Sequence, residues 1–324
     1  MNSGHTARRE GLRPRSSQRP PHLGIARARL AARHRRRRLA ALAVLAVLAL
    51  VIGLGLGTGG GASSAHRVSA HSSGYFNRLR TLAGSGAGSF AVSERSAENA
   101  AITRTMAYTP YVRVAGSQHK EIALTFDDGP GPYTPQVLSV LERLHAPATF
   151  FEVGFAETYF HASTAAIVAR GYPIGDHTQI HAPMSKLSAK DQQSQLLQDT
   201  AAIGDYGAPF PRMFRPPYGL WDSTTLGLLK KDRMLMILWS AETRDYLMPG
   251  SDVILQRALA GARPGAIILM HDAGGDRSQT VAALPQIIRK LRVRGYKLVT
   301  VPRLILDNPP PRHQDVATLA GAGG

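Results

Sequence analysis

Between residues 119 and 306 the apolar residues follow two alternating rhythms. Short dense runs rich in branched and aromatic side chains, EIALTF, ATFFEV, MLMILWS, AIILMH and KLVTV, predict strands buried on both faces. Between them, TPQVLSVLERLH spaces Val137, Leu138, Leu141 and Leu144 as one face of a helix. STAAIVARG reads as a helix ending in glycine, PIGDH follows it, and further helices are expected near 188–204 and over VAALPQIIRKLRVRG. Strands alternating with helices pair in parallel and carry the helices outside. About 190 residues of this pattern suit one α/β domain, with an incomplete barrel as its expected closure. In such folds functional groups gather at the carboxyl ends of the strands.

Outside this region the pattern changes. Residues 39–57, LAALAVLAVLALVIGLGLG, carry no charge and as a helix would span roughly 28 Å, close to a bilayer's hydrocarbon core. RHRRRR precedes them, so the expected orientation puts residues 1–38 in the cytoplasm and 58–324 outside, as a single-pass anchor. A cleaved signal peptide ending at SSA before His66 is the rival reading, and the length of the basic leader speaks against it. Residues 58–118 are rich in Gly, Ser and Ala and read as a stalk, with one short helix near 92–107. Residues 307–324 read as a disordered end.

Charge sharpens this division. Of the net +17, the leader 1–38 supplies +11, from twelve arginines and one glutamate, leaving +6 for the other 286 residues. The leader lacks base-stacking aromatics and runs into the apolar segment, so anionic lipid heads are its expected partner and nucleic acid is not. The absence of cysteine excludes disulfides, thiolate metal sites and cysteine nucleophiles. No Gly-x-Ser-x-Gly is present to support a serine hydrolase.

The chemistry is concentrated in five short stretches. EIALTFDDGPGP ends an apolar run on two adjacent carboxylates, Asp127 and Asp128, which repel each other unless something neutralises one. Strand alternation would face them to different partners. GDHTQIH places His177 and His181 four apart; on a helical turn both imidazoles would share one face and could clasp a divalent cation with one of the carboxylates. FRPPYG holds Arg215 on a stiff extended segment, suited to bidentate pairing with a carboxylate. ILMHD ends a strand on His271, and WSAETRDY places Asp245 after another strand.

In this order the five motifs resemble the polysaccharide deacetylase family, the NodB-homology carbohydrate esterases of carbohydrate esterase family 4, over residues 119–306. The resemblance implies a distorted (β/α) barrel with an incomplete ring of parallel strands. It implies Asp127 as general base, Asp128, His177 and His181 as ligands of a divalent metal, usually zinc, and Arg215 as the residue orienting Asp127. Tyr218 would offer its backbone N–H to an oxyanion. His271 would be the general acid, tuned by Asp245, with Leu269, Tyr246 and Pro217 in the substrate pocket. One motif departs: where the family commonly has Asp-x-x-Asp-Trp, Glu242 and Tyr246 replace the first Asp and the Trp.

The expected activity is hydrolytic deacetylation of an N-acetylated envelope glycan, with N-acetylglucosamine of peptidoglycan the nearest substrate to an anchored domain. Chitin oligomers, acetylated xylan and another envelope polysaccharide are alternatives with the same machinery. A non-catalytic glycan-binding module is a further class.

Overall fold

Nine strands, all parallel, make one curled sheet in the computed structural model, which describes residues 87–316. They are β1 (Tyr111–Val112), β2 (Glu121–Gly129), β3 (Thr149–Glu152), β4 (Ile174–Asp176), β5 (Met213–Phe214), β6 (Leu235–Ile237), β7 (Ala241–Glu242), β8 (Ala266–His271) and β9 (Lys297–Val299). Their order is β1-β6-β5-β4-β3-β2-β8-β7, and β9 pairs with the start of β2. No ladder joins β1 to β7 among the described residues, so the ring is left open there. The helices are α1 (Ala87–Met106), α2 (Thr134–Arg143), α3 (Gly154–Ala169), α4 (Ala189–Gly204), α5 (Ser223–Asp232), α6 (Ser251–Ala260), α7 (Ser278–Val293) and α8 (Val301–Asp307).

Alternation along the central strands sorts the core into two clusters. Ile122, Leu124 and Phe126 of β2 and Ala266, Ile268 and Met270 of β8 face outward, onto Val137 and Leu141 of α2 and Ile287, Ile288 and Leu291 of α7. Phe126 stacks on Phe150 with ring centroids 5.4 Å apart. Ala123, Ile267 and Leu269 face inward with Phe151, Leu235, Ile237 and Trp239. The inward rows end in chemistry, Asp127 near the end of β2 and His271 at the end of β8, opposite each other in register. Helix starts are sealed locally. Ser188 accepts from the Asp191 amide at the head of α4, and Asp222 forms a reciprocal capping box with Thr225 at the head of α5.

The ordered body is longer than 119–306. α1 runs twenty residues rather than forming a short stalk helix, and Ala101, Ile102 and Thr105 are buried. Ile102 joins Val301 and Leu304 in the inner cluster. Its apolar face is mostly alanine, so no amphipathic stripe announces it. The segment from 307, expected to be disordered, is tied down as far as Gln314. Buried Asn308 donates to Glu121 at 2.8 Å, and Gln314 Oε1 accepts from the amides of Arg113 and Val114 at 2.8 and 2.9 Å. These polar side chains satisfy backbone at the sheet edge instead of burying apolar surface, which is why composition missed them. The leader 1–38, the apolar run 39–57, the stalk as far as 86 and residues 317–324 lie outside the described residues. No helix among the described residues is long and apolar enough to cross a membrane.

Candidate active site

The acidic pair reaches one cleft by a break in the strand. Simple alternation would send Asp128 to the outer face. Instead the β2–β3 register shifts between Asp127 and Gly129, and Asp128 adopts a left-handed backbone with φ 72°. Both carboxylates therefore line the same cavity. Gly274 makes room on the other side: a Cβ there would lie 2.4 Å from Asp128 Oδ2.

The two histidines meet without a helix. Residues 177–182 form a turn after β4 in which Thr178 and His181 have φ of 71° and 55°. Thr178 Oγ1 accepts from the Ala182 amide at 3.0 Å, and the imidazole centroids stand 5.0 Å apart. His177 Nδ1–H donates to the Arg215 carbonyl at 2.7 Å, which leaves Nε2 bare. His181 Nδ1 meets the Tyr218 hydroxyl at 3.1 Å. The two Nε2 atoms lie 3.6 and 3.1 Å from Asp128 Oδ1.

This donor set fits a cation. One ligand atom from each of Asp128, His177 and His181 lies within 4.8 Å of the others. Asp128 Oδ1 is buried and receives no hydrogen bond. Burial pushes the Asp128 carboxyl toward its neutral form, but the adjacent imidazoles outweigh this and hold it well below the usual range. Burial likewise disfavours the His177 cation, yet Asp127 and Asp128 raise its pKa. The site thus draws positive charge even from a proton. Two nitrogens and one oxygen with an open side are a divalent-metal donor set.

Asp127 stands beside this group and outside it. Its Oδ1 accepts from Arg215 at 2.7 Å, while Oδ2 lies 3.8 Å from His177 Nε2. Arg215 is fully buried and stacks over Phe151, with Cζ 4.0 Å from the ring centroid. Its grip on Asp127 is single rather than bidentate: Nε and Nη2 donate to the carbonyls of Ile237 and Leu238, and Nη1 also reaches Thr125. Those bonds fix the guanidinium to β2 and β6 and aim one N–H at the carboxylate.

Across the cleft, His271 Nδ1–H donates to Asp245 Oδ1 at 2.8 Å, so Nε2 is the free nitrogen. Asp245 Oδ2 also accepts from the His271 amide and from Thr280, at 2.9 and 2.7 Å. Burial works against the imidazolium, but the Asp245 carboxylate outweighs it and lifts His271 to about 9. Asp245 itself is lowered; burial opposes this and His271 and its donors prevail.

These groups border a cavity of ≈ 1130 Å³. Leu269 and Tyr246 line it, as does Tyr218, but Pro217 does not. Pro217 is buried at the start of a tight turn whose next residue, Tyr218, has φ 59°, and Pro216, still extended, takes the place expected of it on the wall. Arg215 and Asp245 lie behind the wall, hydrogen-bonded to Asp127 and His271.

The family profile described as polysaccharide deacetylase matches residues 115–237. A peptidoglycan-N-acetylglucosamine deacetylase of Bacillus cereus is 38% identical over 192 residues, covering 58% of this chain and 90% of that protein. The chain belongs to the polysaccharide deacetylase family. A chitooligosaccharide deacetylase of a Bradyrhizobium strain is 36% identical over 208 residues, 60% of this chain and 94% of that protein. The crystal structure of the Bc1960 peptidoglycan N-acetylglucosamine deacetylase, in complex with an N-oxidanyl-benzamide, superposes with a TM-score of 0.59 at 29% identity, covering 64% of this chain and 96% of that one. As a polysaccharide deacetylase, the chain is a hydrolase that acts on an acetylated glycan.

In this polysaccharide deacetylase several supporting residues had no signal in the sequence. Asp199 of α4 is fully buried and accepts from the His177 amide at 2.8 Å, pinning the turn that carries His177 and His181. Within its helix it reads as one more polar residue. Asp272, next to His271, is buried and accepts from Thr134 at 2.5 Å; burial raises its carboxyl to about 7. The departures from the usual motif form a unit of their own: the Tyr246 hydroxyl donates to Glu242 at 3.2 Å, and its ring meets His271 edge-on at 5.5 Å.

Proposed function

We propose that the chain removes the acetyl group from N-acetylglucosamine residues of peptidoglycan by metal-dependent hydrolysis. The observation that carries this is the convergence in one cleft of a metal-fitting trio, an arginine-held carboxylate and a carboxylate-held histidine. Asp128, His177 and His181 hold the metal, which we take to be zinc. A bound divalent ion polarises a carbonyl and lowers the pKa of water to about 7.

The remaining work falls to the chain. Asp127 Oδ2 takes a proton from the attacking water while Arg215 holds the other carboxylate oxygen in place. The water oxygen bonds to the acyl carbon, and the Tyr218 amide donates to the oxyanion that forms, a donor worth about 3 kcal/mol in such sites. His271 Nε2 delivers a proton to the glucosamine nitrogen as the C–N bond breaks, releasing acetate and a free amine. Asp245 keeps that imidazole charged and oriented.

The similarity to a peptidoglycan deacetylase over 90% of its length supports the substrate. The chitooligosaccharide deacetylase relative supports a second reading, in which neutral N-acetylglucosamine oligomers are taken. Acetate release measured on peptidoglycan, chitooligosaccharide and acetylated xylan, with and without chelator, tests this. Peptidoglycan turnover lost on chelation and restored by zinc is expected. Turnover that survives full metal removal overturns the metal role, and acetate from none of the three overturns the function. We further propose that residues 39–57 anchor the chain with its catalytic body outside. A soluble mature form starting near residue 66 would sink that placement.

A further inference from the structure

The end of α7 and the turn into β9 read RKLRVRGYK over residues 289–297, five cations in nine residues with no acid among them. Hydrogen bonds draw further basic segments to this corner. Arg292 donates to the Leu144 and His145 carbonyls at 2.7 and 2.9 Å, and Arg294 to the Leu259 carbonyl at 2.6 Å. Those contacts bring in the ends of α2 and α6, where Arg143 and Arg263 are exposed. The Lys297 amide donates to the Lys120 carbonyl at 3.0 Å, and the Lys120 ammonium lies 4.9 Å from the centre of the Tyr296 ring. The ends of three helices and the starts of two strands thus place their cations at one end of the body.

Helix C-termini attract cations, and Arg292 and Arg294 serve that purpose. Arg143, Arg263, Arg289 and Lys290 do not. All four are exposed, and among the described residues their side chains have no hydrogen bond or ion pair. Carboxylates at this end are already engaged, Glu142 with Arg170 at 3.2 Å and buried Glu121 with Lys297 at 2.9 Å. Between Arg292 and Arg294 stands Val293, 87% exposed. A soluble polyanion would meet the charges and leave this aliphatic side chain in water. An anionic bilayer meets both, with headgroup phosphates on the cations and the apolar tip at the edge of the acyl region.

The cleft lies at the opposite end. Lys120 stands just before β2 and Asp128 near its end, eight residues on, or about 26 Å of strand. We propose that the basic end of the body, centred on Arg289–Arg294, docks on the surface of an anionic lipid bilayer and so turns the cleft away from the membrane. The bilayer concerned is the one in which residues 39–57 are proposed to sit, so its identity rests on that anchor reading; the docking surface does not.

The native chain has no cysteine, so Val293→Cys gives one labelling site on the docking surface. Tyr159→Cys, 65% exposed on the first turns of α3, gives one at the cleft end. Each full-length variant is labelled with a polarity-sensitive dye and mixed into vesicles of phosphatidylcholine alone or with one-third phosphatidylglycerol. At low salt the label at 293 should shift to the blue, and be quenched by headgroup spin-labelled lipid, in the anionic vesicles only. The shift should fade as salt rises, and the label at 159 should not move. Each cation facing an anionic bilayer is worth about fivefold, so Arg289→Gln with Lys290→Gln should lower the docked-to-free ratio about 25-fold. Acetate release from a short soluble glycan should be unaffected by that pair, which shows the fold intact. A label at 293 that responds equally in neutral and anionic vesicles, or equally with and without the glutamine pair, overturns the docking. So does a response that soluble polyphosphate evokes as strongly as vesicles, which would assign the surface to an anionic polymer. Failure of the chain to sediment with neutral vesicles overturns the anchor reading alone, because the label at 293 reports the docking surface by itself.

Discussion

Asp127 and Asp128 are consecutive in the chain and differ in everything around their carboxylates. One is gripped by a buried arginine at 2.7 Å, and the other faces two bare imidazole nitrogens. Asp127→Asn keeps the shape and removes the basicity, so kcat should fall by about 10²–10⁴-fold while zinc content by elemental analysis stays near one ion per chain. On the acid side, His271 carries its proton up to about 9 because Asp245 sits 2.8 Å away. Activity should therefore fall as pH rises through about 9, or somewhat lower with a cation bound nearby. Asp245→Asn removes the carboxylate that raises the value. The alkaline limb of the pH–kcat profile should then move toward acid by about 1–3 units, and a profile that stays in place would remove Asp245 from this role.

At the scale of elements, the β2 bulge and α1 are the features that alter the expected layout. The bulge turns an alternating pair into two groups in one cleft. α1 adds Ile102 to the inner cluster, fully packed at 1% exposure. If α1 is part of the folded body, Ile102→Ala should lower unfolding free energy by about 2–5 kcal/mol in denaturant titration. A change of a few tenths would return α1 to the linker. The strand runs and the helices α2 and α7 were legible because each carries an apolar row at its own period, whereas the buried row of α4 mixes Gln192 and Asp199 with Leu196 and Ile203. α5, α6 and α8 were not expected: each is ten residues or fewer, and they bury only two to four positions apiece.

For the whole molecule, several buried groups bind protons more tightly folded than unfolded. Burial raises Glu157 from 4.5 to about 8, and Asp245 raises His271 from 6.5 to about 9 against the effect of burial. A raised folded value adds stability that is complete below the ordinary value and is lost as pH climbs through the folded one. The windows are therefore about 4.5 to 8 for Glu157 and 6.5 to 9 for His271. The lowered carboxyls, Asp128 and Asp245, act oppositely and lose their contribution only as pH drops below 3.8. The metal-free protein should thus show a falling Tm between pH 5 and 9 by scanning calorimetry, and Glu157→Gln should flatten the part below about 8. A native Tm that rises over that range would contradict the assignment.

What the sequence determined by itself was the alternation of strand and helix, the parallel sheet it requires, and which residue types stand where strands end. Apolar period and residue chemistry are local properties, and they survive without coordinates. Only the tertiary structure decided that Asp128 swings to the same side as Asp127, and that the histidine pair closes through a left-handed turn rather than a helix. It also decided that Pro216 rather than Pro217 meets the cavity, and that three arginines far apart in the chain border one cleft. Those outcomes depend on single φ angles and on the curl of the sheet. Backbone strain of that kind is held in place by distant packing, and no stretch of neighbouring residues encodes it.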